Sequence, residues 1–190
     1  MWSFLFISNS EKLYYRKVFI NKLPSQNYNN DMINANTKSK KNLEKLYNIN
    51  RFIIMCTEQY AVSVNQPSDV VYRNMNEHGV IDDLTNDYED LHGMSTVYLN
   101  DYINLVINGK KVENSNIEIK EHQLAKFILI TKVTELIAEE YRISISKARD
   151  MLYNSNVIKL IDDDETGLYG ESPLYVFSLF QKEQKNSQIQ

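Results

Sequence analysis

A chain of 190 residues with 43% hydrophobic and 11% aromatic content has material for a core, and its five glycines and three prolines leave little for a turn-rich all-β fold. The expected class is all-α. One cysteine, Cys56, excludes an intrachain disulfide and a thiol-bound metal, which fits a reducing cytoplasm, and the net charge of −4 offers no general affinity for phosphate.

The chain opens on an apolar run, Met1–Ile7, with no Lys or Arg before it and polar residues from Ser8. It is too short for a secretory signal or a membrane span and reads as a strand or first helical turn. Leu23–Asn50 is rich in Asn, Ser and Lys without sustained periodicity, as a flexible arm would be. From there Phe52, Ile53, Cys56, Tyr60 and Val64 recur at helical spacing. Pro67 suits the first position of a second helix, with Asp69 beside its positive end and Val71 and Met75 on one face. Gly79 then supplies a stop, Val80–Leu91 a third helix, and Ser95 the cap of a last one over Val97, Tyr98 and Ile103.

Displaced by 77 positions, Phe52–Leu105 lies on Leu129–Lys182 without a gap and with eleven identities, among them Thr57/Thr134, Glu58/Glu135, Ala61/Ala138 and Gly93/Gly170. A tandem duplication of a unit of about four short helices is therefore expected. In the second copy Ser144 or Ser146 and then Ser172 serve as caps, and Asn156 aligns with Gly79 as the residue that tolerates a left-handed stop. The expected organisation is an N-terminal extension over 1–50, partly flexible and basic, repeat 1 over 51–107, a linker over 108–125, repeat 2 over 126–183 and a tail over 184–190. Within the linker, Val112, Ile117 and Ile119 fit a short extended element.

Charge divides the copies. Residues 52–105 hold one Lys or Arg against nine Asp or Glu, a net −8, whereas 129–182 hold six against nine, a net −3, and 1–51 carry +6. Asp82, Asp83, Asp87, Glu89 and Asp90 crowd the third helix of copy one, a surface that repels phosphate and attracts a basic protein. The plainer reading is a solvated face that keeps the domain soluble.

Few motifs carry chemistry. His78, His92 and His122 lie far apart, no GxSxG or Gly-rich phosphate loop is present, and Cys56 sits on an apolar helix face. Asp162-Asp163-Asp164-Glu165-Thr166-Gly167 opens like a calcium loop, but Pro173 stands where the bidentate Glu belongs, so an exposed acidic turn is expected. No catalytic, cofactor-binding or metal-ligating residue is expected, and no cofactor. The recurrent Leu91-His92-Gly93-x-Ser95-x-x-Tyr98 and Leu168-Tyr169-Gly170-x-Ser172-x-x-Tyr175 read mainly as core, bend and cap, leaving the rings of His92 and Tyr169 as candidate exposed contacts. Lys147 and Arg149, after a helical corner over 135–153, have the placement of a DNA recognition helix.

The stretch Arg51–Glu58, then Gly79-Val80-Ile81-Asp82, Tyr88–Gly93 and Tyr98–Ile103, resembles a bacterial family of small helical proteins of unknown function, over Arg51–Ile107. Residues Asp164–Tyr169 and Glu171–Tyr175 look like a related variant of the same unit. Genes of that family often stand beside those of toxin-like proteins with an ADP-ribosyltransferase fold, so the resemblance implies an antitoxin-like or accessory role and brings no catalytic residue with it.

The leading expectation is a non-catalytic, cytoplasmic protein-binding module without membrane contact. Its candidate contacts to a basic protein partner are Asp82, Asp83, Asp87, Glu89, Asp90, His92 and Tyr169. A DNA-binding regulator using the basic arm and the corner at 135–153 is the alternative. An enzyme ranks last; a pocket uniting His92 with carboxylates would be its sign.

Overall fold

The computed structural model describes residues 30–109 and 122–187, with side chains described from residue 39 onward. Every regular element among them is helical: α1 Asn30–Val64, α2 Ser68–Glu77, α3 Val80–Asn86, α4 Tyr88–Leu91, α5 Thr96–Asn108, α6 Gln123–Tyr141, α7 Ile145–Tyr153, α8 Asn156–Asp162 and α9 Pro173–Ser187, with two single 3-10 turns at Asp164–Thr166 and Leu168–Gly170. The chain is all-α. It divides into two compact units, Met1–Lys41 and Asn42–Gln190, and both proposed copies lie inside the second. Met1–Ile7 and most of the 108–125 linker, including Val112, Ile117 and Ile119, lie outside the described residues.

Asn30–Asn50 belongs to α1 rather than to a flexible arm. Ile49 and Asn50 are buried and Tyr47 packs on the core, while the Lys, Asn and Glu residues between 39 and 46 face water. Once a packed stretch such as Phe52–Tyr60 has nucleated the helix, each further residue costs little to add, and Leu, Lys and Glu are good helix formers. A polar surface stretch thus hides its helix from a periodicity reading.

Element boundaries recur at the offset of 77. Val64 and Tyr141 end α1 and α6, Ser68 and Ile145 open α2 and α7, and Thr96 and Pro173 open α5 and α9. The ends of α1 and α6 share a conformation too: Asn65 and Arg142, 77 apart, are the two non-glycine residues with positive φ among those described, at 52° and 53°. Gln66 N–H donates to Ala61 O at 3.0 Å and Ile143 N–H to Ala138 O at 3.1 Å, so each helix ends in a Schellman turn that satisfies an otherwise orphaned carbonyl.

Gly79 is left-handed at φ 76° between α2 and α3. Asn156 is not. It is the first residue of α8, and its N–H and side-chain amide both donate to Glu183 Oε1. Asn156 therefore departs from the left-handed stop expected of it, because a carboxylate from α9 holds it in the helix; α9 itself runs through Ser187, so residues 184–187 of the expected tail are helical. Asp87 interrupts the expected third helix, splitting α3 from α4. Ser95, Ser144 and Ser172 cap as expected, accepting from Tyr98 N, Lys147 N and Tyr175 N at 3.3, 3.2 and 3.2 Å.

One hydrophobic core runs through both halves, from Phe52, Ile53 and Met75 to Ile130, Leu152 and Phe180. α2 packs on both α7 and α8, and α6 carries α7 and α9. Units this short are marginal alone, so burying each against the other completes the core.

Candidate functional site

The acidic run is displayed by two short helices. Asp82, Asp87, Glu89 and Asp90 are exposed on α3, α4 and the residue between them, while Asp83 is half-buried and accepts from the Tyr102 hydroxyl at 2.8 Å. Partial burial, that bond to Asp83, and the charges of Asp83 and Asp87 push the Tyr102 phenol up to about 12. Glu89 pairs with Lys45 of α1 at 2.7 Å, which holds its carboxyl below the usual range. Both partners face water, so the pair contributes little stability.

His92 is exposed and stacks on Tyr88 with ring centroids 4.6 Å apart, its Nδ1 against Tyr88 O at 2.7 Å. Tyr169 differs: it is half-buried, stacked on His122 at 4.2 Å, in a 3-10 turn packed on α6 and α8. The structure joins Asp82–His92 along α3 and α4, with Asp83 tied to α5, and sets Tyr169 on other elements. Leu91 and Leu168 are core residues, whereas Tyr98 and Tyr175 point outward and are about half exposed, at 50% and 48%.

Arg149 is 4% exposed. Its Nε donates to Tyr72 at 2.9 Å, its Nη1 reaches Asn50 Oδ1 at 3.5 Å, and its guanidinium lies over the Tyr72 ring. Of the Lys147/Arg149 pair only Lys147 is exposed, and Arg142 is the other exposed cation of the corner at 135–153.

A second region was not legible in the sequence. A cleft of about 660 Å³ lies where the end of α1 and start of α2 meet α6 and the end of α8. Glu58 lines it, buried, accepting from the Tyr153 hydroxyl at 2.8 Å. Burial, then the charge of Asp162, raises the Glu58 carboxyl to about 8, against the opposing bond from Tyr153, so it carries its proton at neutral pH. Asp162 is also raised by burial, although Ser68 donates to it from both Oγ and N–H at 2.8 Å and Lys126 lies close. Lys126 donates to Asp162 O and pairs with Asp164 at 2.8 Å. The only sequence signal was Thr57-Glu58 recurring as Thr134-Glu135 on otherwise apolar faces. Each Thr hydroxyl returns to the carbonyl four residues back, and buried Glu135 accepts from Arg51 at 2.8 Å.

The cleft gathers carboxylates with His122 and not with His92. Its carboxylates accept from protein donors, Lys126 among them. The Asp162–Gly167 turn is likewise used internally: Asp163 Oδ1 accepts from Glu165 N, and the Thr166 hydroxyl donates to Leu160 O and Asp163 O. Among the described residues no group of three His, Cys, Asp or Glu side chains is placed to hold a metal ion. The buried Cys56 thiol is pushed far above its ordinary pKa by desolvation, which disfavours the thiolate.

A family model described as a protein of unknown function (DUF3791) matches residues 51–110, the stretch from the buried part of α1 through α5. No curated protein and no solved structure matches the chain. Among the described residues no helix is long and apolar enough to cross a membrane.

Proposed function

We propose that this chain is a non-catalytic protein-binding module of the bacterial cytoplasm, built from two tandem copies of one helical unit, whose first copy engages a basic protein through the α3–α4 face. One observation carries the reading: Asp82 on α3, Asp87 at the junction and Asp90 on α4 are all exposed, and none is in an ion pair with a cation among the described residues. A surface this one-sided costs self-repulsion, which a cationic partner relieves. The resemblance of Arg51–Ile107 suggests an accessory or antitoxin-like role beside a partner with an ADP-ribosyltransferase fold. A DNA-binding role is disfavoured by the burial of Arg149.

The test is co-expression with the product of the neighbouring gene and co-purification in low salt, where charge-driven contacts are strongest. A complex that falls apart on Asp82→Asn/Asp87→Asn/Asp90→Asn supports the reading. No complex in low salt, or one indifferent to these charges, would overturn it.

A further inference from the structure

Beyond the carboxylates, α5 carries a partly exposed apolar stripe, in which Tyr102 also packs on the core. Tyr98, Tyr102 and Leu105 follow the i, i+4, i+7 spacing that places side chains on one helical face, and Met94 precedes them across the Ser95 cap. Tyr98, Leu105 and Met94 are each about half exposed, whereas the core face of the same helix is made by Leu99 and Ile103. The stripe runs for roughly 16 Å, about three turns. Its border is acidic, since Tyr102 is bonded to Asp83 and Asp87 stands close to the same phenol.

The second half supplies an internal comparison. At the offset of 77, Met94, Tyr98, Tyr102 and Leu105 correspond to Glu171, Tyr175, Leu179 and Lys182, so charges replace both ends of the stripe. Asp83 corresponds to Leu160, and Asp87 to Asp164, which is paired with Lys126. The second half thus keeps the cap and the buried face but has neither the unbroken stripe nor a carboxylate in the place of Asp83.

Resting on the protein-binding reading above, we infer that α5 is the docking surface for an amphipathic basic helix of the partner, which lays leucine-like side chains along Met94, Tyr98, Tyr102 and Leu105 and its lysines or arginines against Asp83 and Asp87. Charge complementarity selects this occupant: residues 52–105 carry −8, and a hydrophobic stripe with an anionic rim matches a helix with a hydrophobic stripe and a cationic rim. A second copy of this chain fits less well, because a two-fold contact through this face opposes two copies of the same acidic rim. Tyrosines at its centre supply large contact area at low entropic cost.

The experiment titrates the full chain with a synthetic leucine–lysine amphipathic helix of roughly 14 residues, and with a scrambled peptide of the same composition that cannot form an apolar face. Binding is read by calorimetry and by amide protection along α5. The amphipathic peptide binds and the scrambled one is at least about tenfold weaker; Tyr98→Ser/Leu105→Ser weakens binding about tenfold or more, and Tyr175→Ser leaves it unchanged. Because both altered side chains are exposed, the variant keeps its helical content, which circular dichroism checks. Equal affinity for both peptides overturns the docking face while leaving a purely electrostatic acidic surface standing. Binding of neither overturns both. Equal losses from Tyr98→Ser/Leu105→Ser and Tyr175→Ser, or a dimer abolished by Tyr98→Ser, would also overturn it.

Discussion

Arg149 donates its Nε proton to the Tyr72 hydroxyl at 2.9 Å, and the two residues stand 77 apart, at the same position of the two halves. The Tyr72 hydroxyl donates a hydrogen bond to Asp150, and its ring stacks on Tyr153 at 4.2 Å with planes 7° apart. Tyr153 in turn reaches Glu58, so one chain of polar and aromatic contacts crosses the seam from Asn50 to the cleft.

That chain makes the losses from removing its members less than additive. Arg149→Ala leaves Tyr72 and Asn50 without their donor and opens a cavity, for an expected loss of about 3 kcal/mol or more. Arg149→Met fills the space, and combined with Tyr72→Phe it leaves no orphaned hydroxyl, so the pair of substitutions costs about 1 kcal/mol less than the sum of the two alone. Urea unfolding of the four proteins in the cycle measures this. Additive losses would show that the two side chains act independently across the seam.

The sign of the pH dependence follows from Glu58. Its folded-state pKa of about 8 lies above the unfolded value of 4.5, so its contribution is fully present below about pH 4.5 and is lost as pH rises through about 8. Asp162 is shifted in the same direction and adds to the loss. Glu58→Gln keeps an oxygen to accept from Tyr153 and removes the titration. The variant is therefore more stable than the parent by a few kcal/mol at pH 8.5 to 9 and close to it at pH 4.5, since each tenfold difference in proton affinity between the folded and unfolded chain is worth about 1.4 kcal/mol. Urea midpoints from pH 4.5 to 9 show this as a flatter profile for the variant. Parallel profiles would mean that Glu58 is already ionised at neutral pH.

What the sequence disclosed and what it concealed divide along a physical line. Serine caps at Ser95, Ser144 and Ser172 and the left-handed turn at Gly79 were legible because each is decided within a few residues of chain. The left-handed Arg142 was not, since arginine has no preference for that region and is held there by the Schellman turn. Asn156 has such a preference and is overruled by Glu183, 27 residues away. Arg149 has the placement of a recognition-helix cation in the sequence and Glu58 is there only a repeated identity; packing between halves shows one under Tyr72 and the other against Tyr153. The acidic residues of α3 and α4 were found by counting charge, but the apolar stripe beside them was not. Tyr98 fits a core pattern equally well until Leu99 and Ile103 are seen to fill it.

Asn100 is a buried side chain that the fold does not repay. It is 1% exposed, and neither its Oδ1 nor its Nδ2 meets a hydrogen-bonding group among the described residues. The corresponding position of the second half is the buried Phe177. Asn100→Leu, close in shape, removes two unpaired polar atoms and raises stability by about 1–2 kcal/mol, seen as a higher urea midpoint with an unchanged slope. A lower midpoint would mean that the amide is satisfied by ordered water.

The paired helix ends allow a conformational test free of packing. Arg142 is exposed at φ 53°, where an L side chain is strained and glycine is not. Arg142→Gly relieves that strain at the cost of a more flexible unfolded chain, for a net gain of about 0.5 kcal/mol. Asn65→Gly gains less, because asparagine already tolerates the region. At Gly79 the reverse holds: a Cβ there would meet no atom within 4 Å, so Gly79→Ala reports the backbone alone and should cost about 1 kcal/mol. Thermal unfolding orders the variants as Arg142→Gly above Asn65→Gly above the parent above Gly79→Ala. An Arg142→Gly protein less stable than the parent would show that the arginine side chain, and not the turn it occupies, holds the end of α6 in place.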